Sequence, residues 1–123
     1  MKPIRVLVCD DHTILREGLV ALLAASGDCE VVGQAADGMA AVEMALKLRP
    51  QVVVVDLSMP RLNGIEVVRR LTAELEGVRI LVLTMHSEEE YVVHVVRAGA
   101  SGFLLKDSAG SELLAAVRAL AAG

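Results

Sequence analysis

The sequence predicts an α/β fold in which helices cover both faces of one parallel sheet. Short runs rich in Val, Ile and Leu alternate five times with longer stretches whose apolar residues recur at helical spacing. The short runs are almost continuously apolar, as expected for parallel strands buried on both faces. Right-handed crossovers between such strands place helices on both sides of the sheet. We expect residues 1–123 to form one domain.

Each predicted element has its own signal in the chain. The strands are the apolar runs at residues 4–9, 30–35, 52–55, 80–83 and 102–105. The first helix lies between the first two strands and stops at Ser26-Gly27, and Pro50 ends the second. Capping residues mark the starts of three helices: Asp37 before the second, Asn63 with Glu66 before the third, and Ser87 with Glu90 before the fourth. A fifth helix has its apolar face at Leu113, Leu114, Val117, Leu120 and Ala121.

Composition and charge exclude several classes of function. Hydrophobic residues make up 54% of the chain and charged residues 23%, which indicates a packed globular domain. The net charge of −4 leaves no cationic surplus for a nucleic-acid backbone, so we expect this segment not to bind DNA. Cys9 and Cys29 fall on separate strands and indicate buried thiols in a reducing compartment. No apolar run is long enough for a signal peptide or a membrane span, so we expect a cytoplasmic protein.

Polar residues follow four of the five predicted strands. Asp10-Asp11 comes after the first strand, Asp56 after the third, Thr84 after the fourth and Lys106 after the fifth. Ligands of open α/β sheets bind at the carboxyl ends of the strands, and parallel strands bring those ends to one edge. We therefore expect these residues to meet in one site.

The predicted site combines the groups that phosphoryl chemistry needs. Three carboxylates at one edge repel one another unless a cation lies among them, and oxygen ligands of this kind suit Mg²⁺. Lys106 and the Thr84 hydroxyl can bind phosphoryl oxygens. Asp56 stands alone on the central strand, which makes it the best candidate for a nucleophile that forms an aspartyl phosphate.

Four segments carrying these residues resemble a known family. "VLVCDDH", "VVVVDLSMPRLNGIEVVRRL", "ILVLTMH" and "AGASGFLLKDS" are similar to the receiver domain of two-component response regulators, and "RAGASGFLLKD" to the NarL/FixJ-type subfamily. The resemblance implies a flavodoxin-like, CheY-like doubly wound sheet with strand order 2-1-3-4-5. It implies that Asp56 accepts a phosphoryl group from a sensor histidine kinase.

The resemblance also assigns the other parts of the site and the partners. It implies that Mg²⁺ is held by Asp10, Asp11, Asp56 and the backbone carbonyl of Ser58. Thr84 and Lys106 would bind the phosphoryl oxygens, and Thr84 with Phe103 would switch the conformation. Phosphorylation would control homodimerisation, through the first and fifth helices or through the face of helix four, strand five and helix five. A helix-turn-helix domain after residue 123 would bind DNA and make the full-length protein a transcription regulator.

Other interpretations of these residues remain open at this point. Asp10 and Asp11 also suit the cap of the first helix, and Lys106 a solvated lysine or a partner of Asp107. Phe103 is by default a core aromatic, and His12 has no evident metal-ligand companions, so we expect it at the surface or in packing. A phosphatase of the haloacid dehalogenase type also uses a strand-end aspartate, but Ser58 stands where such enzymes carry their general acid. A nucleotide-binding fold lacks its glycine-rich loop here, and the intact pocket argues against a pseudo-receiver that only scaffolds.

Overall fold

A five-stranded parallel sheet runs through the part of the chain that the structure describes. The structure, a computed structural model, describes residues 2–57, 59, 61–85 and 89–123, with their side chains except those of residues 89–91. The strands are β1 (Ile4–Cys9), β2 (Cys29–Ala35), β3 (Val52–Asp56), β4 (Arg79–Thr84) and β5 (Gly102–Leu105). They lie in the order β2-β1-β3-β4-β5 with parallel pairing throughout. The predicted fold class and strand order are confirmed.

Helices cover both faces of this sheet, as predicted. They are α1 (Thr13–Ala25), α2 (Gly38–Leu48), α3 (Gly64–Glu74), α4 (Glu89–Ala98) and α5 (Ala109–Ala122), with a short 3₁₀ turn at Lys106–Ser108. α1 and α5 pack on one face, and α2, α3 and α4 on the other. Asp37 accepts a hydrogen bond from the Ala40 amide and Asn63 one from the Glu66 amide, which confirms both predicted caps. The predicted cap at Ser87 lies outside the described residues.

The four valines of β3 explain how a carboxylate comes to stand in the interior. Val53 and Val55 contact the core under α2, α3 and α4, whereas Val52 and Val54 contact the core under α1 and α5. All four are fully buried, because a central strand has helices on both faces. Asp56 continues this strand and is therefore delivered to the carboxyl edge of the sheet. Cys9 and Cys29 are both buried and free of disulfides, as predicted.

Gly64, at the start of α3, is required by the close approach of the loop after β3. A Cβ at this position would lie 2.5 Å from the Leu57 Cα and 2.7 Å from the Asp56 carbonyl oxygen. We expect Gly64→Ala to lower the free energy of unfolding by about 2–3 kcal/mol, the cost of an overpacked site. Urea unfolding followed by circular dichroism measures this loss.

Gly18 provides the matched control for that substitution. It lies inside α1, where a new Cβ would meet nothing within 4 Å. Gly18→Ala should raise the free energy of unfolding by roughly 0.5–1 kcal/mol, since alanine is the better helix former. Similar effects of the two substitutions would show that the α3 entry is not tightly packed.

An ion pair ties α5 to the turn before β2. The Arg118 Nε and Nη2 atoms donate to the Asp28 carboxylate at 2.7 and 3.1 Å. The hydrogen bond from Arg118, helped by one with Ser26, lowers the pKa of Asp28 from its ordinary 3.8 to about 2. A lowered pKa stabilises the fold above the ordinary value, and that contribution is lost as the pH falls from 3.8 towards 2.

The pH dependence of this ion pair gives a direct prediction. In Arg118→Gln the pKa of Asp28 should return towards its ordinary value, which a carbon-detected NMR titration of the Asp28 carboxyl measures. The stability difference between wild type and variant should shrink as the pH falls through the same window. An Asp28 pKa that is the same in both proteins would refute the ion pair as its cause.

Candidate functional site

Two buried carboxylates stand side by side at the carboxyl edge of the sheet. Cys9 of β1 pairs with Val55 of β3, so the residues that follow them, Asp10 and Asp56, are neighbours on adjacent strands. Both aspartates are fully buried, whereas the Asp11 side chain is 30% exposed. Carboxylate oxygens of all three and the Nδ1 atom of His12 lie within 4.8 Å of one another. The expectation that Asp10, Asp11 and Asp56 converge is therefore met by this geometry.

Lys106 reaches into this cluster from the end of β5. Its Nζ atom lies 2.9 Å from the Asp56 Oδ2 atom, 3.7 Å from the Asp10 Oδ2 atom and 3.0 Å from the His12 Nδ1 atom. Its side chain is only 6% exposed. The alternatives of a solvated lysine and of a partner for Asp107 are wrong, because the ammonium group is buried against the acidic cluster.

Thr84 ends β4 at the same edge. Asp56 pairs with Leu83, so Thr84 lies one position further along the neighbouring strand, and it pairs with Leu105, the residue before Lys106. Its side chain is buried. Thr84 thus stands between the strands that carry Asp56 and Lys106. The Ser58 carbonyl, the remaining member of the predicted metal set, lies outside the described residues.

His12 belongs to the cluster, although the sequence predicted only a surface or packing role for it. Its backbone amide donates to the Asp10 Oδ1 atom at 2.8 Å. Its Nδ1 atom lies 3.2 Å from the Asp10 Oδ1, 3.5 Å from the Asp11 Oδ1 and 3.9 Å from the Asp56 Oδ2. His12 precedes α1 and makes no side-chain cap. The signal for this position was its place directly after Asp11, at the ligand-binding edge of the sheet.

Arg16 is a second residue whose role the sequence did not indicate. It lies in the first turns of α1, and its Nη1 atom donates to the Asp10 backbone carbonyl at 2.8 Å. Its Nε atom donates to the Gln34 Oε1 at 3.2 Å. Arg16, which belongs to α1, therefore links the Asp10 backbone to α1 and, through Gln34, to β2.

Phe103 does not occupy the core position expected of an aromatic residue by default. It lies on β5, an edge strand that pairs only with β4 in this sheet, and it is 39% exposed. Side chains of a strand point above and below the sheet, and at this edge the neighbouring elements cover the Phe103 ring only in part. Val93 and Val96 of α4 are also exposed, at 39% and 60%.

The charges of the cluster are not balanced by the protein alone. Burial raises the pKa of Asp10, as does the neighbouring Asp56 carboxylate, while the His12 amide and Lys106 act in the opposite direction. Among the described residues, the Asp10 Oδ2 and Asp11 Oδ1 atoms are buried and have no hydrogen-bond partner. Carboxylate oxygens that lack a hydrogen-bond donor and lie close together fit a hard divalent cation. The cluster of acidic residues could therefore bind a metal ion.

Asp10→Asn should stabilise the metal-free protein. The amide keeps an oxygen for the His12 amide but removes a buried charge, so we expect the free energy of unfolding in EDTA near neutral pH to rise by about 1–3 kcal/mol. The sign follows from the raised pKa: ionisation of Asp10 costs stability as the pH rises from its ordinary 3.8 through the folded-state value. Asp11→Asn, which changes a more exposed carboxylate, should have a smaller effect in urea unfolding. A less stable Asp10→Asn protein in EDTA would contradict this.

An open cavity gives access to the cluster. Its volume is about 410 Å³, and it is lined by His12, Leu15, Met85, Lys106 and Asp107. His12 and Lys106 are the members of the cluster that line it. The site thus combines a buried carboxylate, a counter-charge, a candidate metal position and an adjoining cavity.

Comparison with known proteins decides the family. The family model "Response regulator receiver domain" matches residues 6–118. The chain belongs to this family. It is 42% identical to the transcriptional regulatory protein DegU of Brevibacillus brevis over 98% of the chain and 51% of that protein. Similarity to the nitrate/nitrite response regulator NarL of Escherichia coli is 38% identity over 99% of the chain and 56% of that protein.

Solved receiver domains share the whole fold. One described as the signal receiver domain of NarL from Mycobacterium tuberculosis has a TM-score of 0.96 and 39% identity, and it covers 100% of this chain and 99% of that one. The predicted NarL-type receiver domain is confirmed, and the phosphatase and nucleotide-binding alternatives are set aside. Receiver domains of this kind belong to regulators of transcription. This chain spans about half the length of the curated relatives it matches. Within the described residues, no helix has the length and apolar character to span a membrane.

Proposed function

We propose that this receiver domain is a phosphorylation-operated switch whose acceptor is Asp56 and whose donor is the phosphohistidine of a sensor histidine kinase. The observation that carries the proposal is the buried Asp56 carboxylate with the Lys106 Nζ atom 2.9 Å from its Oδ2. A carboxylate nucleophile paired with a lysine suits transfer of a dianionic group, because positioning and charge neutralisation supply most of the catalysis. The protein is a signalling switch in the cytoplasm and not a turnover enzyme.

The transfer itself needs little beyond the residues at this edge. An Asp56 oxygen attacks the phosphorus atom, the phosphorus–nitrogen bond of the donor breaks, and the imidazole nitrogen leaves with the bonding electrons. The Lys106 ammonium moves its contact from the carboxylate to a phosphoryl oxygen, and the Thr84 hydroxyl donates to another. No general base is required, since a carboxylate attacks phosphorus without losing a proton.

The acidic residues supply the metal position in this proposal. Asp10, Asp11 and Asp56, with the predicted Ser58 carbonyl, would hold Mg²⁺, and the unpartnered oxygens of Asp10 and Asp11 support that choice. Bound Mg²⁺ neutralises the charge that builds up between the carboxylates and the phosphoryl group. Arg16 keeps the Asp10 backbone in position for this role.

Phosphorylation would change the conformation of the protein through Thr84 and Phe103. A hydroxyl drawn towards the phosphoryl group vacates space at the end of β4, and the half-exposed Phe103 ring can move inward beside it. That movement would change the apolar surface that β5 exposes, and so favour a homodimer. In the full-length protein a helix-turn-helix domain after residue 123 would then bind DNA, while this segment with its net charge of −4 does not.

A small phosphodonor tests the proposal. Incubation with acetyl phosphate and Mg²⁺ should add the mass of one phosphoryl group, and EDTA should prevent the addition. Beryllofluoride is a suitable unreactive mimic, since a receiver domain of RcsB that is 30% identical has a structure solved in its presence. If neither reagent modifies or binds the wild-type protein with Mg²⁺ present, the proposal fails.

A further inference from the structure

We infer that His12 gives the acidic cluster a nitrogen ligand, so that the site selects borderline transition-metal ions such as Co²⁺ or Zn²⁺ more strongly than its carboxylates alone would. The inference deepens the proposed metal site and rests on it. It concerns which divalent ions the site accepts.

The distances place the imidazole within one coordination sphere of the carboxylates. The His12 Nδ1 atom lies 3.2, 3.5 and 3.9 Å from oxygens of Asp10, Asp11 and Asp56. Around an octahedral ion with bonds of about 2.1 Å, adjacent ligands are about 3.0 Å apart and opposite ligands about 4.2 Å apart. The observed separations fall in this range.

The Nδ1 atom also faces the ammonium group that lies in the cluster. Lys106 Nζ lies 3.0 Å from this nitrogen and Asp10 Oδ1 3.2 Å from it, so the tautomer protonated at Nε2 accepts from the lysine and the tautomer protonated at Nδ1 donates to the carboxylate. The same lysine contacts Asp56 Oδ2 at 2.9 Å. A cation in this position thus contacts both the imidazole nitrogen and the carboxylate, and a divalent ion is a stronger partner for both than the ammonium group is.

The chemistry of the donor set predicts the selectivity. Mg²⁺ prefers oxygen ligands, and water fills any coordination position that the protein leaves open. Its binding therefore gains little from an imidazole. Imidazole suits Zn²⁺, Ni²⁺ and other later first-row ions, whose affinity for nitrogen sites rises across the series. Since the His12 side chain is 61% exposed, it can turn into or out of the coordination sphere without disturbing the core.

Calorimetric titration with Co²⁺ and with Mg²⁺ tests the inference on wild type, His12→Phe and His94→Phe. His94 is an exposed histidine of α4, so its variant controls for the loss of an imidazole elsewhere. We expect His12→Phe to weaken Co²⁺ binding at least about tenfold and to change Mg²⁺ binding less than about twofold, as for loss of one ligand. His94→Phe should change neither. The wild-type Co²⁺ complex should show a paramagnetically shifted imidazole resonance that His12→Phe lacks.

Each other outcome overturns the inference in a recognisable way. If His12→Phe weakened the binding of Co²⁺ and of Mg²⁺ equally, His12 would only position Asp10. If His12→Phe left Co²⁺ binding unchanged, the ligands of the site would be oxygens alone. The proposed phosphoryl switch would not be affected by that result. If the wild type binds neither ion, the inference and the proposed Mg²⁺ dependence fail together.

Discussion

Asp56→Asn should abolish phosphoryl transfer to the protein. The amide has no anionic oxygen to attack phosphorus, so after incubation with acetyl phosphate and Mg²⁺ the variant should keep its unmodified mass. The Asn side chain is nearly isosteric, and it removes a charge from a buried cluster, so the fold should persist. Intact-mass spectrometry measures the loss, and a thermal melt shows that the variant is folded.

Asp37→Asn is the matched control for that experiment. Asp37 caps α2 through the Ala40 amide, and asparagine caps a helix about as well as aspartate. The control should therefore form the adduct like the wild type. An adduct of wild-type yield on Asp56→Asn would mean that a different residue is the acceptor.

Lys106→Met should produce the largest loss of stability in the site. The substitution keeps much of the side-chain volume but leaves the buried Asp10 and Asp56 carboxylates without their cation. Removing one partner of a buried ion pair lowers the free energy of unfolding by about 3–5 kcal/mol. We expect a loss of this size in EDTA, measured by urea unfolding near neutral pH.

Mg²⁺ should partly rescue this variant, since a ligand that binds only the folded state stabilises it by an amount that grows with the logarithm of its affinity. Its Mg²⁺ affinity should also exceed that of the wild type, because the competing ammonium is gone. Lys47→Met, at an exposed position of α2, should change neither quantity. A Lys106→Met protein as stable in EDTA as the wild type would show that the lysine does not balance the cluster.

The fold was predictable because its signals are local and repeated. The valines at 52–55 identify a strand buried on both faces, and the caps at Asp37 and Asn63 locate two helix starts within the sequence itself. The convergence of Asp10, Asp56 and Lys106 follows from one topological rule, that parallel strands end at the same edge. Register then places these residues within a few ångströms without further information.

The features that the sequence did not predict depend on side-chain orientation and on how elements far apart in the sequence cover one another. His12 lies in a loop, and nothing in its spacing tells whether its ring turns towards the carboxylates or the solvent. The exposure of Phe103 depends on how far neighbouring elements extend over an edge strand. The contact of Arg16 with the Asp10 carbonyl depends on the angle at which α1 leaves the sheet.

The position of the phosphoryl group is the most direct test of this account. Borohydride reduces an acyl phosphate to an alcohol, so a phosphorylated aspartate becomes homoserine. Trypsin separates the candidates, because Asp56 lies in the peptide of residues 48–61 and Asp10 and Asp11 in that of residues 6–16. We predict homoserine at position 56 alone. Homoserine at position 10 or 11, or at no position in a protein that carries the added mass, would contradict Asp56 as the acceptor.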